Sequence, residues 1–385
     1  METWRLGLVF PGAPRDPSTW SGTPAGVARG LEQAGVAVVP VRAEPPAGLD
    51  TLAKYAVAGF HFRRAVRSPL APTRPLARAL ARASPELGAV QGLAARSRLR
   101  RAGPLDGLVQ IGTGFLIALN GTPLVTFEDL TVRQAVELGY PEWRLLPRRS
   151  IAARIARQAR AYELARACCV TTRWAAESVV RDYGVPAEKV HVVGLGRNHS
   201  IEPAARDWNR PRFLFVAKGW EGKNGPALLR AFARVKRDLP EAQLDLVGDH
   251  PPVAAEGVTG HGFLRLDLPE HRRALGALFA HATCFVMPSR YEASAIAYLD
   301  AGAAGMPCIG TSIGGSGELI GEAGRLVDPG DDDALVAAMH ELADPATAAR
   351  LGALAHERSR LFTWRAVAER LLRALDFPGA LAEFL

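Results

Sequence analysis

Cysteine is scarce in this chain of 385 residues, with only Cys168, Cys169, Cys284 and Cys308. None of the four stands in a C-x-x-C pair or in the Cys/His spacing of a zinc site, which argues against a structural metal. Each lies in or beside an apolar stretch, so we expect four buried, unpaired thiols in a reducing compartment.

Long hydrophobic runs are also missing. The longest, such as 280–288, is interrupted by His281 and falls well short of the roughly 20 residues that a membrane span requires. Residues 1–10 are too short and too acidic at their start for a signal peptide, and they predict a first strand over 4–10. We therefore expect a cytoplasmic protein.

The composition that remains is that of an ordinary globular protein, with 48% hydrophobic and 22% charged residues. A chain of 385 residues exceeds the usual size of one core, so two domains are expected. The formal charge of +8 favours an acidic partner: a phosphorylated substrate, an anionic membrane surface or a nucleic acid. Charge alone does not choose among the three.

Strand and helix patterns alternate along the whole chain, which predicts an α/β fold with parallel sheets. In the second half we predict strands at 212–217, 243–248, 282–287 and 307–310, and helices at 226–236, 270–281 and 294–304. In the first half we predict a helix at 24–34 and strands at 4–10, 36–41, 108–111, 124–127, 168–171 and 190–193. Residues 194–211 look like a linker, where a hinge would place a cleft between two sheets.

The clearest candidate site lies between the strand 212–217 and the helix that follows it. A glycine-rich loop there carries Lys218 and Lys223, so loop N–H groups and two ammonium charges are expected to converge on an anion. This is the chemistry of a diphosphate site. No Ser or Thr follows the lysine in the frame of a Walker loop. The alternative is a pair of solvated lysines.

A second candidate site follows Pro288-Ser289. Glu292 precedes the helix 294–304, and Asp300 comes eight positions later, about 12 Å along the axis at roughly 1.5 Å per residue. Two acids so placed can mark the two ends of an extended ligand. Between them, the helix N-terminal amides of Ala295, Ile296 and Ala297 can donate to a phosphate. The alternatives are a helix-start acid for Glu292 and an exposed helical acid for Asp300.

These motifs resemble those of retaining glycosyltransferases with the GT-B fold, specifically the GT4 family (glycosyl transferases group 1). Ala217-Lys218 and Lys223 stand where that family has Gly-Arg and a following Lys, and Glu292 and Asp300 stand for its Glu, seven residues, Glu signature. The segments 312–318 and 325–331 also fit. Two positions depart from the pattern. Lys218 replaces Arg, so a planar guanidinium that can bind phosphate through two N–H groups becomes a single ammonium charge. Asp300 replaces the second Glu.

The resemblance implies two Rossmann-like domains facing each other across a cleft. We assign residues 1–200 to an acceptor-binding domain, 201–361 to a nucleotide-sugar donor domain and 362–385 to a C-terminal helix that crosses back to the first domain. Lys218 and Lys223 would stabilise the leaving diphosphate, Glu292 would orient the donor sugar, and Asp300 would hold the ribose. The nucleotide base (UDP, GDP or ADP), the sugar and the acceptor stay open.

In the first half, the resemblance points to two further places. Gly22, in the loop 20–24, would lie near the donor phosphates, although a helix cap by Ser21 or Thr23 explains that loop equally well. Residues 124–129 end a strand where many relatives place a His-Asp pair facing the reacting sugar. No His is present here, so Glu128 or Asp129 must act without it, and we place Asp129 among the catalytic candidates.

No cofactor is expected beyond the nucleotide-sugar donor. No metal is expected either, since no Asp-x-Asp pair stands in a suitable loop and Asp331, Asp332 and Asp333 fit a helix start. His261 would lie near the nucleotide base, but a plain loop role is favoured for it. The rival functions are a nucleotide-sugar epimerase, whose first-domain acids and histidines are not found, and a non-catalytic protein that binds a nucleotide or nucleic acid.

Two arginine-rich segments remain to be explained. Residues 61–101 hold ten arginines against the single acid Glu86, and the basic helix around 148–160 adds five more. We interpret both as solvated faces. A lid over an anionic acceptor or a contact with an acidic membrane surface is the less favoured interpretation, because the clean apolar face of a membrane-binding helix is missing. Nucleic acid is disfavoured because Phe62 is the only aromatic residue in 61–101.

Overall fold

A computed structural model describes residues 3–45, 74–117, 121–199, 203 and 205–377. The chain forms two compact units. Unit 1 comprises Met1–Gly194 together with Trp364–Leu385, and unit 2 comprises Leu195–Thr363. Within the part of the chain that the structure describes, no helix is both long enough and apolar enough to cross a membrane.

Unit 1 is built on a sheet of six parallel strands in the order β2-β1-β3-β4-β5-β6. The central strands are buried on both faces, as expected for a parallel sheet covered by helices. The strands are β1 (Arg5–Phe10), β2 (Ala37–Arg42), β3 (Gly107–Ile111), β4 (Leu124–Glu128), β5 (Ala167–Val170) and β6 (Val190–Val192).

Among the described residues, seven helices of unit 1 precede the crossover into unit 2. They are α1 (Thr23–Gln33), α2 (Arg74–Ala83), α3 (Pro85–Arg101), α4 (Val132–Glu137), α5 (Pro141–Leu145), α6 (Arg148–Leu164) and α7 (Arg173–Tyr183). The start of α4 is fixed by a capping box, in which Thr131 and Gln134 satisfy each other's backbone N–H groups.

Unit 2 contains a second sheet of six parallel strands, in the order β12-β11-β10-β7-β8-β9. Its strands are β7 (Arg212–Ala217), β8 (Gln243–Gly248), β9 (Val258–Gly260), β10 (Cys284–Val286), β11 (Cys308–Thr311) and β12 (Gly324–Val327). Counted within the unit, this is the doubly wound order 3-2-1-4-5-6, which reverses direction between β7 and β10. Ligands of such sheets bind beyond the carboxyl ends of the two strands that flank the reversal.

The helices of unit 2 are α8 (Gly225–Asp238), α9 (Pro269–His281), α10 (Ile296–Ala303), α11 (Ser316–Ile320), α12 (Asp332–Glu341) and α13 (Pro345–Ser359). Helix α8 shows why the sequence folds locally as it does. Pro226 stands in its first turn, where no N–H is needed, and its buried residues recur at helical spacing. The final helix, α14 (Trp364–Ala374), belongs to unit 1.

Helix α14 packs closely on α1 through two glycines. A Cβ added at Gly26 would lie 2.1 Å from the ring of Trp364, and one at Gly30 would lie 2.0 Å from its carbonyl oxygen. The two helices therefore approach at a distance that only glycine permits. The core of both units is apolar, and all four cysteines are buried and unpaired, which confirms the expectation for the thiols.

The solvated-face interpretation is wrong for two arginines of α6, although Arg148, Arg149 and Arg160 on the same helix are exposed. Arg154 on α6 is only 8% exposed, and its Nη1 donates to the carbonyl oxygen of Gly114. Arg157, one turn later, is half-buried and donates to the carbonyl oxygen of Pro85. These two residues hold the loop after β3 rather than forming a solvated face, because the guanidinium group can satisfy buried carbonyls that no N–H reaches. The first three arginines of the segment 61–101, Arg63, Arg64 and Arg67, lie outside the described residues, so the interpretation is not tested there.

Candidate functional site

The predicted site residues of unit 2 gather at the carboxyl edge of its sheet. Lys218 directly follows β7, and Ser289 and Glu292 follow β10, so the two loops leave the sheet on either side of the reversal point. Helix α10 begins four residues after Glu292, at Ile296. The sheet order therefore places the two predicted constellations side by side, in the crevice where a doubly wound sheet binds its ligand.

Glu292 and Lys223 form an ion pair in this crevice. Lys223 Nζ lies 2.5 Å from Glu292 Oε2, and Ser289 Oγ donates to the same oxygen at 3.1 Å. Glu292 is 5% exposed, whereas the Lys223 side chain is 25% exposed. A buried carboxylate is costly unless it is paired and hydrogen-bonded, and here both conditions are met. Sequence reasoning chose both residues but gave them separate tasks and did not anticipate their contact.

The backbone beside Glu292 is held by two glycines that follow β11. Gly314 has φ of 70°, and a Cβ added there would lie 1.9 Å from the carbonyl oxygen of Glu292. The N–H of Gly315 donates to the carbonyl oxygen of Ala293 at 2.7 Å. The glycine turn thus packs directly on the backbone that carries the acid, which gives a physical reason for glycine at position 314.

Gly314→Ala is expected to disturb the site more than an equivalent change elsewhere. Gly262 is the matched control, since its φ is 64° but an added Cβ there meets nothing within 4 Å. We expect Gly262→Ala to lower the free energy of unfolding by about 1 kcal/mol, from the backbone alone. Gly314→Ala should cost roughly twice that and also weaken nucleotide binding. Equal losses in urea titrations, with equal affinities by calorimetry, would show that the contact with Glu292 carries no weight.

Some amides of the loop after β7 are not available to an anion in the way the sequence suggested. Four N–H groups of the loop already have acceptors within the protein. Gly219 donates to Asp249 Oδ1 at 2.7 Å, and the donors to backbone carbonyls are Lys223 (to Gly219), Asn224 (to Glu221) and Gly225 (to Trp220). The expected convergence of amides is therefore wrong for these four residues. These four N–H groups therefore do not contribute to anion binding in this conformation, whereas Lys218 and Lys223 bring positive charge to the loop.

Lys218 is exposed, and its ammonium group lies 5.1 Å from the centre of the Phe263 ring. Such a cation–π contact at an exposed position is weak, about 0.5–1 kcal/mol, so a phosphate can compete for the ammonium group. Phe263 itself is 50% exposed and was not identified from the sequence.

Asn224 and Arg290 connect the two loops of the site, and sequence reasoning missed both. Arg290 Nε donates to Asn224 Oδ1 at 3.0 Å, and the Arg290 N–H donates to the carbonyl oxygen of Gly222 at 2.9 Å. Asn224 has φ of 63° and donates from Nδ2 to the carbonyl oxygen of Pro329. An Asn directly before a Gly-Pro helix start was the available signal, because Asn tolerates this left-handed conformation.

The start of α10 lacks a side-chain cap. Ala295 occupies the N-cap position and makes no side-chain cap, so the first-turn amides of Ile296 and Ala297 have no side-chain acceptor at that position. The helix begins two residues later than predicted, which moves Ala295 from inside the helix to its cap. The positive end of the α10 dipole therefore lies only four residues along the chain from Glu292, one partner of the ion pair.

Asp300 is not an exposed helical acid, since it is 5% exposed. Its Oδ1 accepts two backbone N–H groups, from Asn198 at 2.8 Å and from His199 at 3.0 Å. Burial raises the pKa of Asp300 above its usual range, and His199 together with the two backbone bonds counteracts part of that rise. The carboxylate is therefore engaged with the protein at the position where the resemblance implied a ribose contact.

In unit 1, Gly22 occupies the N-cap position of α1 with φ of 80° and makes no side-chain cap. The structure thus places the N-cap of α1 at Gly22, between the two residues that the capping alternative proposed. The positive φ explains the glycine by itself, because other residues rarely adopt that conformation.

Glu128 and Asp129, at the end of β4, differ in their surroundings. Glu128 is 3% exposed and accepts hydrogen bonds from Thr113 Oγ1 at 2.6 Å, Gln158 Nε2 at 3.0 Å and the Tyr162 hydroxyl. Burial raises the pKa of Glu128 to about 7, although the three donors counteract part of the rise. Asp129 is half-buried. Of the two acids, Asp129 is the one with access to solvent.

The remaining candidates for metal or base binding have structural partners. Asp331 caps α12 by accepting the N–H of Ala334 at 2.8 Å, and Asp332 and Asp333 pair with Arg230 and Arg234. These contacts confirm the helix-start interpretation. His261 Nε2 lies 2.7 Å from Asp245 Oδ1. Across the described ranges, no group of three or more His, Cys, Asp or Glu side chains is placed to hold a metal ion.

Comparison with known proteins gives a consistent family. Residues 210–344 match the family described as "Glycosyl transferases group 1". The chain is 30% identical over 291 residues to an MMP alpha-(1->4)-mannosyltransferase from Mycolicibacterium hassiacum, covering 69% of this chain and 68% of that protein. It is 31% identical over 249 residues to an alpha-maltose-1-phosphate synthase from Mycolicibacterium smegmatis, covering 55% of this chain and 63% of that protein.

The fold also matches a solved structure. Sucrose-phosphate synthase from Thermosynechococcus elongatus superposes with a TM-score of 0.68 at 19% identity, covering 96% of this chain and 98% of that one. At this identity the likeness concerns the fold alone. Together with the two parallel six-stranded sheets, it establishes the two-domain GT-B architecture expected from the sequence.

Proposed function

The chain belongs to the family of glycosyl transferases group 1, and from this premise we propose that it transfers a sugar from a nucleoside diphosphate sugar to an acceptor, with retention at the anomeric carbon. The observation that carries the proposal is the ion pair of Lys223 and Glu292 in the crevice of unit 2. It combines a cation for a departing diphosphate with a carboxylate for sugar hydroxyls at the place where a doubly wound sheet binds nucleotides.

In this proposal the diphosphate lies between the lysines and the start of α10. Lys223 and Lys218 supply positive charge, and the amides of Ile296 and Ala297 supply donors. Charge that develops on the leaving diphosphate is then stabilised by groups already held in place, which is why no metal ion is needed in the proposal. Retained turnover in excess EDTA is the expected result. Loss of activity that magnesium or manganese restores would contradict it.

Glu292 is proposed to contact the donor sugar. Both of its protein contacts reach Oε2, so its other oxygen, Oε1, can accept a sugar hydroxyl. Lys223 is then shared between the carboxylate and the diphosphate, which fixes the sugar relative to the bond that breaks. In unit 1, Asp129 is the proposed catalytic acid, because the carboxylate of Glu128 is enclosed by its three donors.

The test is a donor screen with two readouts. UDP-, GDP- and ADP-sugars are incubated with free and phosphorylated sugars as acceptors, the latter because two of the similar proteins are named as synthases of phosphorylated sugars. Release of the nucleoside diphosphate identifies the donor, and the proton coupling at the anomeric carbon of the product gives its configuration. Inversion would remove the retaining assignment. A chain that neither binds nor cleaves any of these donors would remove the function.

Lys223→Ala is expected to weaken nucleoside diphosphate binding by about 2 kcal/mol, or roughly 30-fold, because an ammonium contact to diphosphate in a partly closed site is lost. Lys189→Ala is the control, since Lys189 belongs to unit 1, where its Nζ donates to the carbonyl oxygen of Glu163 at 3.2 Å. Calorimetry with the diphosphate of the active donor measures both. Unchanged affinity in Lys223→Ala would remove this residue from the site.

A further inference from the structure

Arg154 of α6 is a buried cation with few partners. It is 8% exposed, and its Nη1 donates to the carbonyl oxygen of Gly114 at 2.9 Å. Its Nε is also buried and has no hydrogen-bond partner among the residues that the structure describes. Burial lowers the pKa of Arg154 to about 10, so the charged form is held at an energetic cost. Buried polar atoms are nearly always hydrogen-bonded in folded proteins, and this Nε is an exception that holding the loop after β3 does not explain.

Arg157, one turn along the same helix, brings a second positive charge to the same carbonyl group. Its Nη1 lies 3.4 Å from the carbonyl oxygen of Gly114 and also donates to that of Pro85. The charge of Arg157 lowers the pKa of Arg154 further, because two like charges repel each other. Glu86 is the acid whose charge acts on Arg157. Two guanidinium groups therefore converge on one neutral oxygen.

The protein supplies Arg154 with little negative charge. Glu128 is the carboxyl group whose charge acts on it, but the hydrogen bonds of Glu128 come from Thr113, Gln158 and Tyr162. Because burial raises the pKa of Glu128 to about 7, its negative charge is incomplete near neutral pH. A buried cation beside a second cation is unfavourable unless a full negative charge pairs with it. A bound anion would supply that charge.

The two guanidinium groups lie at the edge of the sheet where unit 1 is expected to bind a ligand. In the order β2-β1-β3-β4-β5-β6 the chain reverses direction between β1 and β3, and ligands bind beyond the carboxyl ends of the strands that flank such a reversal. Gly114 follows the end of β3 by three residues. Asp129, the proposed catalytic acid, follows the adjacent strand β4. An anion held by Arg154 would therefore place its molecule beside the strand end that carries Asp129.

We propose that Arg154 and Arg157 bind the phosphoryl group of a phosphorylated acceptor. The inference rests on the proposed function, because it names the class of the acceptor. A phosphate monoester carries a charge of about −1.5 to −2 at neutral pH and three acceptor oxygens. It therefore matches two guanidinium groups, whose planar arrays of N–H donors suit phosphate oxygens. A neutral sugar would leave the two cations without a counter-charge.

The first measurement compares matched acceptors, using the full chain and the donor that the nucleotide screen identifies. Glucose, mannose and fructose are each paired with their own phosphate monoester, and the ratio of kcat/KM, phosphorylated over free, is determined. We expect a ratio of at least about 100 in the wild type for one pair, and a loss of about 30-fold in that ratio for Arg154→Gln and for Arg157→Gln. Arg160→Gln is the control, since this exposed arginine of the same helix pairs with Glu163. It should keep the wild-type ratio.

The second measurement needs neither donor nor turnover, and its probe is inorganic phosphate. A ligand that binds the folded state raises Tm, so phosphate is compared with chloride at equal ionic strength. All proteins in this series carry Lys223→Ala, which weakens phosphate binding at the proposed donor site. We expect phosphate to raise the Tm of this background. Adding Arg154→Gln should abolish most of the rise, and adding Arg160→Gln should keep it.

A purely structural role of the two arginines predicts other results. Arg154→Gln would then lower Tm in phosphate and in chloride alike, leave the phosphate-dependent rise intact and keep the ratio of kcat/KM. Any of these last two results, or a wild-type ratio near one for every pair, would overturn the inference. Arg157→Gln, at a half-buried position, takes the place of Arg154→Gln if that variant does not fold.

Calorimetry with the nucleoside diphosphate separates this inference from the proposed function. If the nucleotide binds and sugars are transferred without preference for the phosphorylated form, only the phosphoryl site is rejected. If no nucleotide binds to the wild type, the proposed function is rejected. The phosphate-dependent rise in Tm and its loss in Arg154→Gln then still decide whether unit 1 holds an anion at this place.

Discussion

Glu292→Gln is expected to lower kcat on the order of 100-fold while changing the Michaelis constant for the donor only a few-fold. The glutamine keeps the shape of the side chain and an oxygen for Lys223 and Ser289, which contact Glu292 Oε2 in the structure. What it removes is the negative charge that, in the proposed function, faces the sugar as positive charge develops at the anomeric carbon. Losses of this size are typical when one preorganised electrostatic contact is removed, and a contact that strengthens in the transition state acts on kcat.

The control is Glu256→Gln, in an exposed loop at the amino end of β9 and thus away from the carboxyl edge of the sheet. The thermal stability of both variants is measured as well, so that a loss of folded protein is not mistaken for a loss of catalysis. A change confined to the Michaelis constant would mean that Glu292 binds the donor equally well in the ground state and in the transition state. A change of only a few-fold in both constants would mean that the ion pair with Lys223 has a structural role only.

Most of the fold of unit 2 was predictable because its strands are apolar runs bounded by turn residues. Strands β7 and β8 have the predicted bounds 212–217 and 243–248. Two edge strands, β9 and β12, were not predicted. They have three and four residues, and β9 carries only Val258 as an apolar residue, so hydrophobic patterning gives almost no signal there.

The site was predictable as a set of residues but not as a set of contacts. Lys223 and Glu292 were chosen because of the loops that carry them, and both lie in the crevice, yet their pairing depends on the sheet order, which places β10 beside β7. The spacing of Asp300 from Glu292 suggested a ligand contact, but it could not show that Asp300 Oδ1 accepts two backbone N–H groups from a segment about a hundred residues earlier.

Buried polar groups were the hardest to foresee, since the sequence shows a charge but not what surrounds it. Arg154 was predicted to lie on a solvated face together with its neighbours, although it is buried in unit 1. Glu128 stands where the resemblance places the His of a His-Asp pair, and the sequence could not show that Thr113, Gln158 and Tyr162 converge on it. These donors come from β3's following loop and from α6, so only the tertiary fold brings them together.

Glu128 is also expected to make the stability of unit 1 depend on pH. Its pKa is about 7 in the folded chain, against a value of 4.5 without burial. Between these two values the folded chain binds more protons than the unfolded chain, so the free energy of unfolding falls as the pH rises. The destabilisation is nearly absent below pH 4.5 and complete above about pH 7. At about 1.4 kcal/mol for each pKa unit, it amounts to up to about 3 kcal/mol.

Glu128→Gln should abolish this dependence, because the amide does not ionise. Relative to the wild type, we expect the variant to gain roughly 2 to 3 kcal/mol between pH 5 and pH 8. Urea titrations followed by hydrogen exchange of the peptide 124–132 report on unit 1 directly. Glu163→Gln, an exposed acid on α6, should leave the wild-type slope unchanged. Parallel stability curves for wild type and Glu128→Gln would mean that the three donors keep Glu128 ionised throughout. The enclosed carboxylate of Glu128 would then be a permanent negative charge next to Asp129.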